Sequence, residues 1–84
     1  MNKVSKAELN DAYRAFARVV RLDWKQCVGD AEKARCLNQM QRDGRELIAM
    51  LERPMRATVP ADLVQRAESL IDLSSQIITS QSID

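Results

Sequence analysis

The residues of this chain best placed to do chemistry are four cations, Arg14, Arg18, Arg21 and Lys25, spaced alternately four and three residues apart. At about 100° per residue they stack as one basic stripe along a helix. Arginine in such a row suits bidentate contacts to carboxylates or phosphates. The solvated back of an amphipathic helix has the same pattern, so the stripe points to an acidic protein surface, to nucleic acid, or to water alone. No aromatic side chain interleaves it, so base stacking along a single strand is not expected.

Other reactive residue types are sparse. The chain has no histidine, which removes the commonest general base, the Ser–His and Cys–His nucleophile pairs and the usual zinc ligand. Cys27 and Cys36 match neither a zinc knuckle nor a redox Cys-x-x-Cys. Two glycines, Gly29 and Gly44, cannot build a phosphate-binding loop. Glu8, Asp11 and the remaining carboxylates fall on predicted solvent faces beside Lys and Arg. The sequence therefore predicts no enzyme, no catalytic residue, no cofactor and no metal.

The stripe must sit on the first of three helices, about 6–28. Ser5-Lys6-Ala7-Glu8 fits a capping box, in which Ser5 accepts from the Glu8 amide and Glu8 reaches back to the Ser5 amide. Val4 before the cap and Leu9 at the fourth helical position fit the hydrophobic staple. Leu9, Tyr13, Phe16, Val20, Trp24 and Cys27 share one face, and Ala12, Ala15, Val19 and Leu22 an adjoining one. A surface helix uses an apolar arc of roughly 100°, so the second face is surplus. Gly29 is expected to end the helix in the left-handed conformation. A chain turning there staggers Cys27 and Cys36 by roughly 5 Å, which favours buried, reduced thiols over a bridge.

Asp30 is the expected N-cap of a second helix, about 31–53, which Pro54 stops. Leu37, Met40, Gly44, Leu47, Ile48 and Leu51 follow its apolar seam, with Gly44 as a candidate close crossing. A turn between two such long helices predicts an antiparallel hairpin, not the short helices of a helix-turn-helix. Thr58 is the expected cap of a third helix, about 59–78, with Pro60 in its first turn. Its apolar face is Leu63, Ala67, Leu70, Ser74 and Ile77, flanked by Val64, Ile71 and Ile78. Residues 79–84 read as a frayed polar tail. The predicted fold is all-α: an antiparallel helical hairpin plus a third packing helix, a small three-helix bundle in one domain spanning residues 1–84.

Tyr13-Arg14 followed by Phe16 resembles the motif of the Leu-Tyr-Arg family of mitochondrial assembly factors and subunits. Ala12 stands where that family has its leading Leu, and the second helix has no Phe, so no residue role is taken from the resemblance.

Composition narrows the function classes. An apolar share of 45% with 30% charged residues describes a folded, water-soluble chain rather than a disordered one. Net charge is only +1, short of the basic balance of nucleic-acid domains. It is unevenly spread: residues 1–28 carry six basic against three acidic side chains, and residues 61–84 one against four. The start Met-Asn-Lys-Val-Ser-Lys has no apolar run and no stretch approaches the roughly 20 apolar residues of a membrane span, so a cytoplasmic location is expected and no membrane partner. A chain of 84 residues buries only about 60–65% of its unfolded surface, and association is a usual remedy.

These features predict a small non-catalytic protein-binding module, an adaptor, chaperone or inhibitor, docking a helical face on a larger protein. The expected contact residues are Arg14, Ala15, Arg18, Val19, Arg21, Leu22 and Lys25. Partners are another protein or a second copy of the chain, as in a homodimer. The alternatives are a dimeric nucleic-acid-associated regulator using the Arg stripe and a structural subunit of a larger assembly.

Overall fold

The computed structural model describes residues 3–82, all of whose regular structure is helical. Three helices follow one another. The first, α1, runs without a break through an α-helical part (Lys6–Ala17), a π-helical stretch (Arg18–Asp23) and a last α turn (Trp24–Gln26). The second, α2, is Asp30–Leu51, and the third, α3, is Ala61–Ser82.

The start of α1 is built as the capping pattern requires. Ser5 is extended and its Oγ accepts from the Glu8 amide at 3.2 Å. Glu8 does not reach the Ser5 amide; its carboxylate accepts from the Ser5 hydroxyl instead, also at 3.2 Å. Val4 and Leu9 are fully buried. Val4 is also tied by its backbone: its amide donates to Pro54 O and its carbonyl accepts from the Arg56 amide, both at 2.9 Å. The N-terminal segment thus closes against the α2–α3 linker.

Several boundaries differ from expectation. Gly29 is extended (φ −99°, ψ 156°), not left-handed, and it precedes the second helix as its N-cap. Asp30 is therefore the first helical residue, where its carboxylate still favours the positive helix end. α1 stops at Gln26 because Cys27 turns to an extended conformation, which leaves Val28 86% exposed in the linker. Pro60 sits just before α3, its carbonyl accepting from the Leu63 and Val64 amides. Thr58 is exposed, in the turn closed by the Val59 amide on Arg56 O. α3 continues through residues 79–82, which were expected to fray. Ser, Thr and Gln each weaken a helix by less than about 0.7 kcal/mol relative to Ala, and Ile77 and Ile78 pack on the core just before them. Residues 83 and 84 of that expected tail lie outside the described residues.

The π stretch changes which residues face inward. Its bonds reach five residues back, as from the Trp24 amide to Val19 O, so each turn holds an extra residue. A wheel drawn at α-helical pitch runs out of phase beyond Ala17. Val19 and Val20 both enter the core, at 8% and 2% exposure.

The core is Val4, Leu9, Phe16, Val19, Val20, Cys36, Met40, Leu47, Leu63, Ala67 and Leu70. α1 packs chiefly on α2, and α3 packs about equally on α1 and α2. Phe16 is completely buried, and its ring lies on the bare backbone of Gly44. A methyl group at Gly44 would sit 3.4 Å from Phe16 Cζ and 3.7 Å from Cε1, which is van der Waals contact. Buried Ser74 is satisfied by donating to Ile71 O at 2.8 Å.

These distances separate two substitutions at one site. Gly44→Ala is expected to hold or raise stability by up to about 1 kcal/mol through helix propensity and a less flexible unfolded chain. Gly44→Leu should lose about 1–3 kcal/mol by overpacking against Phe16. Chemical denaturation of the pair decides. Equal stability of the Leu and Ala variants would show that no ring occupies that space.

Candidate protein-docking surface

Two surfaces stand out once the helices are placed. The first is the outer face of α1. Arg14, Ala15, Arg18, Arg21 and Lys25 are exposed there, and Leu22 is 50% exposed among them. Val19 was expected on this face and is not; it is buried in the core. Among the described residues, Arg18 alone of these cations meets an acid, its Nε lying 3.9 Å from Asp23 Oδ1, and the Arg18 side chain remains 74% exposed. Arg14, Arg21 and Lys25 form no ion pair among the described residues. Six of the seven expected contact residues are thus exposed.

The second surface lies between α2 and α3 and was not anticipated as a site. A groove of about 330 Å³ is lined by Ile48, Leu51, Glu52, Glu68, Ile71 and Asp72. Three apolar side chains meet three carboxylates there. Ile48 is 41% exposed, and none of the three acids is in an ion pair among the described residues. A smaller depression of about 140 Å³ continues along the same seam, sharing Ile48 and Ile71 and adding Gly44, Arg45, Ser74 and Ile78. The sequence carried half of the signal: Ile48 and Ile71 flank the main apolar stripes of their helices. Only the pairing of the two helices joins them.

The cysteines end as free thiols, Cys36 buried and Cys27 half-buried. Cys36 Sγ lies 3.8 Å from Val19 O, the carbonyl that also accepts the five-residue bond of the π stretch. Cys27 Sγ lies 3.2 Å from Asp23 O and 3.7 Å from Glu32 O. Burial pushes the Cys36 thiol up from its ordinary 9.0 to about 11, and the adjacent Cys27 side chain and Asp23 act in the same direction. On α3, Arg66 donates to Asp62 at 2.8 Å and holds that exposed carboxyl below its usual range. No group of three or more metal-ligating side chains occurs among the described residues, and no helix there is long and apolar enough to cross a membrane. Comparison with known protein families, curated proteins and solved structures gives no match.

The raised thiol gives a pH dependence of defined sign. Below about pH 9 Cys36 is protonated in the folded and unfolded chain alike. Between pH 9 and about 11 the unfolded chain gives up the proton more readily, so the folded state holds more protons and stability falls as pH rises. Cys36→Ala removes this contribution. Its melting temperature is expected to fall less steeply than that of the wild type across this window; parallel curves would contradict the burial of the thiol.

Proposed function

We propose that this chain is a small non-catalytic protein-binding module that docks a helical face on a partner protein, as adaptors, chaperones and inhibitors do. The scaffold of this reading is an antiparallel hairpin of α1 and α2 with α3 packed across it, a three-helix bundle. Contacts that descend along α2 as α1 ascends support that arrangement: Val4 with Pro54 and Arg56, Phe16 with Gly44, and Val19 with Cys36.

The observation that carries the functional reading is Leu22, half exposed on α1 near the exposed cations Arg14, Arg18, Arg21 and Lys25. An exposed aliphatic side chain inside a cationic rim is the arrangement of a contact site, where the apolar group anchors and the charges steer. The shape adds support. The molecule measures 43 × 22 × 21 Å with a radius of gyration of 13.7 Å, against about 12 Å for a compact chain of this length. Its surface of 5910 Å² exceeds the roughly 5,000 Å² expected of a folded monomer of its mass.

A photo-crosslinking residue at position 22, introduced in the native host, tests this reading. The expected result is a discrete protein adduct that an identical probe at exposed Arg35 does not give. Leu22→Asp should abolish binding of the captured protein with an unchanged far-ultraviolet spectrum, whereas Val19→Asp should unfold the chain by burying a charge. Neutralising Arg14 and Arg18 should mainly slow association. Binding that tracks the Arg pair, ignores Leu22 and collapses steeply with salt would replace this reading with a polyanion-binding one.

A further inference from the structure

The only two cysteines of the chain meet where the end of α1 turns onto the start of α2. Cys27 Sγ lies 3.2 Å from Asp23 O on α1 and 3.7 Å from Glu32 O on α2. Cys36 Sγ reaches across the same seam to Val19 O at 3.8 Å. Val19 and Asp23 are about one turn apart on α1, and Glu32 and Cys36 about one turn apart on α2. Both sulfurs therefore occupy the single turn of seam between these carbonyls, and the Cys27 side chain is a hydrogen-bond neighbour of the Cys36 thiol. The two differ in access. Cys27 is half-buried and extended, between exposed Gln26 and Val28, whereas Cys36 is 8% exposed on a helix.

We propose that Cys27 and Cys36 form a reversible thiol–disulfide site that fastens the end of α1 to α2 when a small-molecule disulfide is present. Cys27, the thiol that solvent reaches, attacks as its thiolate and forms a mixed disulfide, releasing one thiolate of the reagent. Cys36 then gives up its proton, attacks the Cys27 sulfur and expels the second half of the reagent. Each cysteine loses one electron and one proton; the reagent gains both pairs and leaves as two thiols. The second attack is intramolecular, so the nearness of the sulfurs offsets the small thiolate fraction that burial leaves on Cys36. The linker supplies the movement. Val28 is 86% exposed and a Cβ at Gly29 would meet nothing within 4 Å, so Cys27 is free to draw in to the roughly 2.05 Å of a disulfide.

Equilibration of the full chain with reduced and oxidised glutathione, then acid quenching, blocking of free thiols and tryptic mass spectrometry, tests this site. Peptide 26–33 is expected joined to peptide 36–42, since cleavage follows Lys25, Lys33, Arg35 and Arg42. At a fixed glutathione ratio, the closed-to-open ratio of the folded chain should exceed that of the urea-unfolded chain at least about tenfold. The same thermodynamic cycle requires the oxidised chain to melt at a higher temperature than the reduced one. Cys36→Ala should stop at the mixed disulfide on Cys27. Cys27→Ala, whose remaining thiol is buried, should react at least about tenfold more slowly than Cys36→Ala. A folded chain that closes no more readily than the urea-unfolded chain overturns the proposal. So does a wild type that accumulates glutathione adducts, or that links light copies to heavy ones in an isotopic mixture, without the bond from 26–33 to 36–42 inside one copy.

Discussion

Everything else in this structure depends on Phe16 lying against Gly44. Phe16 is the only phenylalanine of the chain, it is fully buried, and its ring rests on a backbone with no side chain of its own. That contact sets how closely α1 and α2 approach. Around it the two helices bury Leu9, Val20, Met40 and Leu47, while Val4 closes the far end through its hydrogen bonds to the α2–α3 linker. A mid-helix glycine weakens a helix by about 1 kcal/mol relative to alanine, and the ring beside it would leave a methyl group in ordinary contact; loss of the ring itself to alanine would cost about 3–5 kcal/mol.

The same arrangement decides what stays outside. α2 carries both neighbours, so its apolar arc is divided between the seam toward α1 and the seam toward α3. The first is filled by Phe16 and Val20. The second is filled near Leu47, Leu63, Ala67 and Leu70 but remains open where Ile48, Leu51 and Ile71 meet. On the other side, Val19 is buried and Leu22 is half exposed near the arginines. One long helix thus carries both the buried face that packs on its neighbours and the exposed face proposed to dock.

Much of this was legible in the residues. Ser5 and Glu8 marked the start of α1, and Val4 and Leu9 were readable as a staple because both flank that cap. Phe16, Val20, Met40, Leu47, Leu63, Ala67 and Leu70 followed from helical spacing. What was hidden has physical causes. Periodicity assumes a constant pitch, so the π stretch was invisible; Val19, at the edge of the apolar arc, is buried where an exposed position was expected. Gly29 suggested a left-handed stop, but the chain leaves α1 through an extended Cys27 and needs no such conformation. The polar end of α3 looked unable to hold a helix by itself, yet it continues from a packed turn at Ile77 and Ile78. The groove belongs to two helices, and spacing within one helix does not say which neighbour covers it.

The core built around Phe16 and Gly44 buries Val19 and leaves Leu22 half exposed on α1, and on that division the proposed docking face depends. Methyl-resolved nuclear magnetic resonance with a soluble paramagnetic agent tests it most directly. The methyl signals of Leu22 are expected to relax strongly, while those of Val19, Leu47 and Leu70 in the core stay sharp. Signals of Val19 as accessible as those of Leu22 would contradict it.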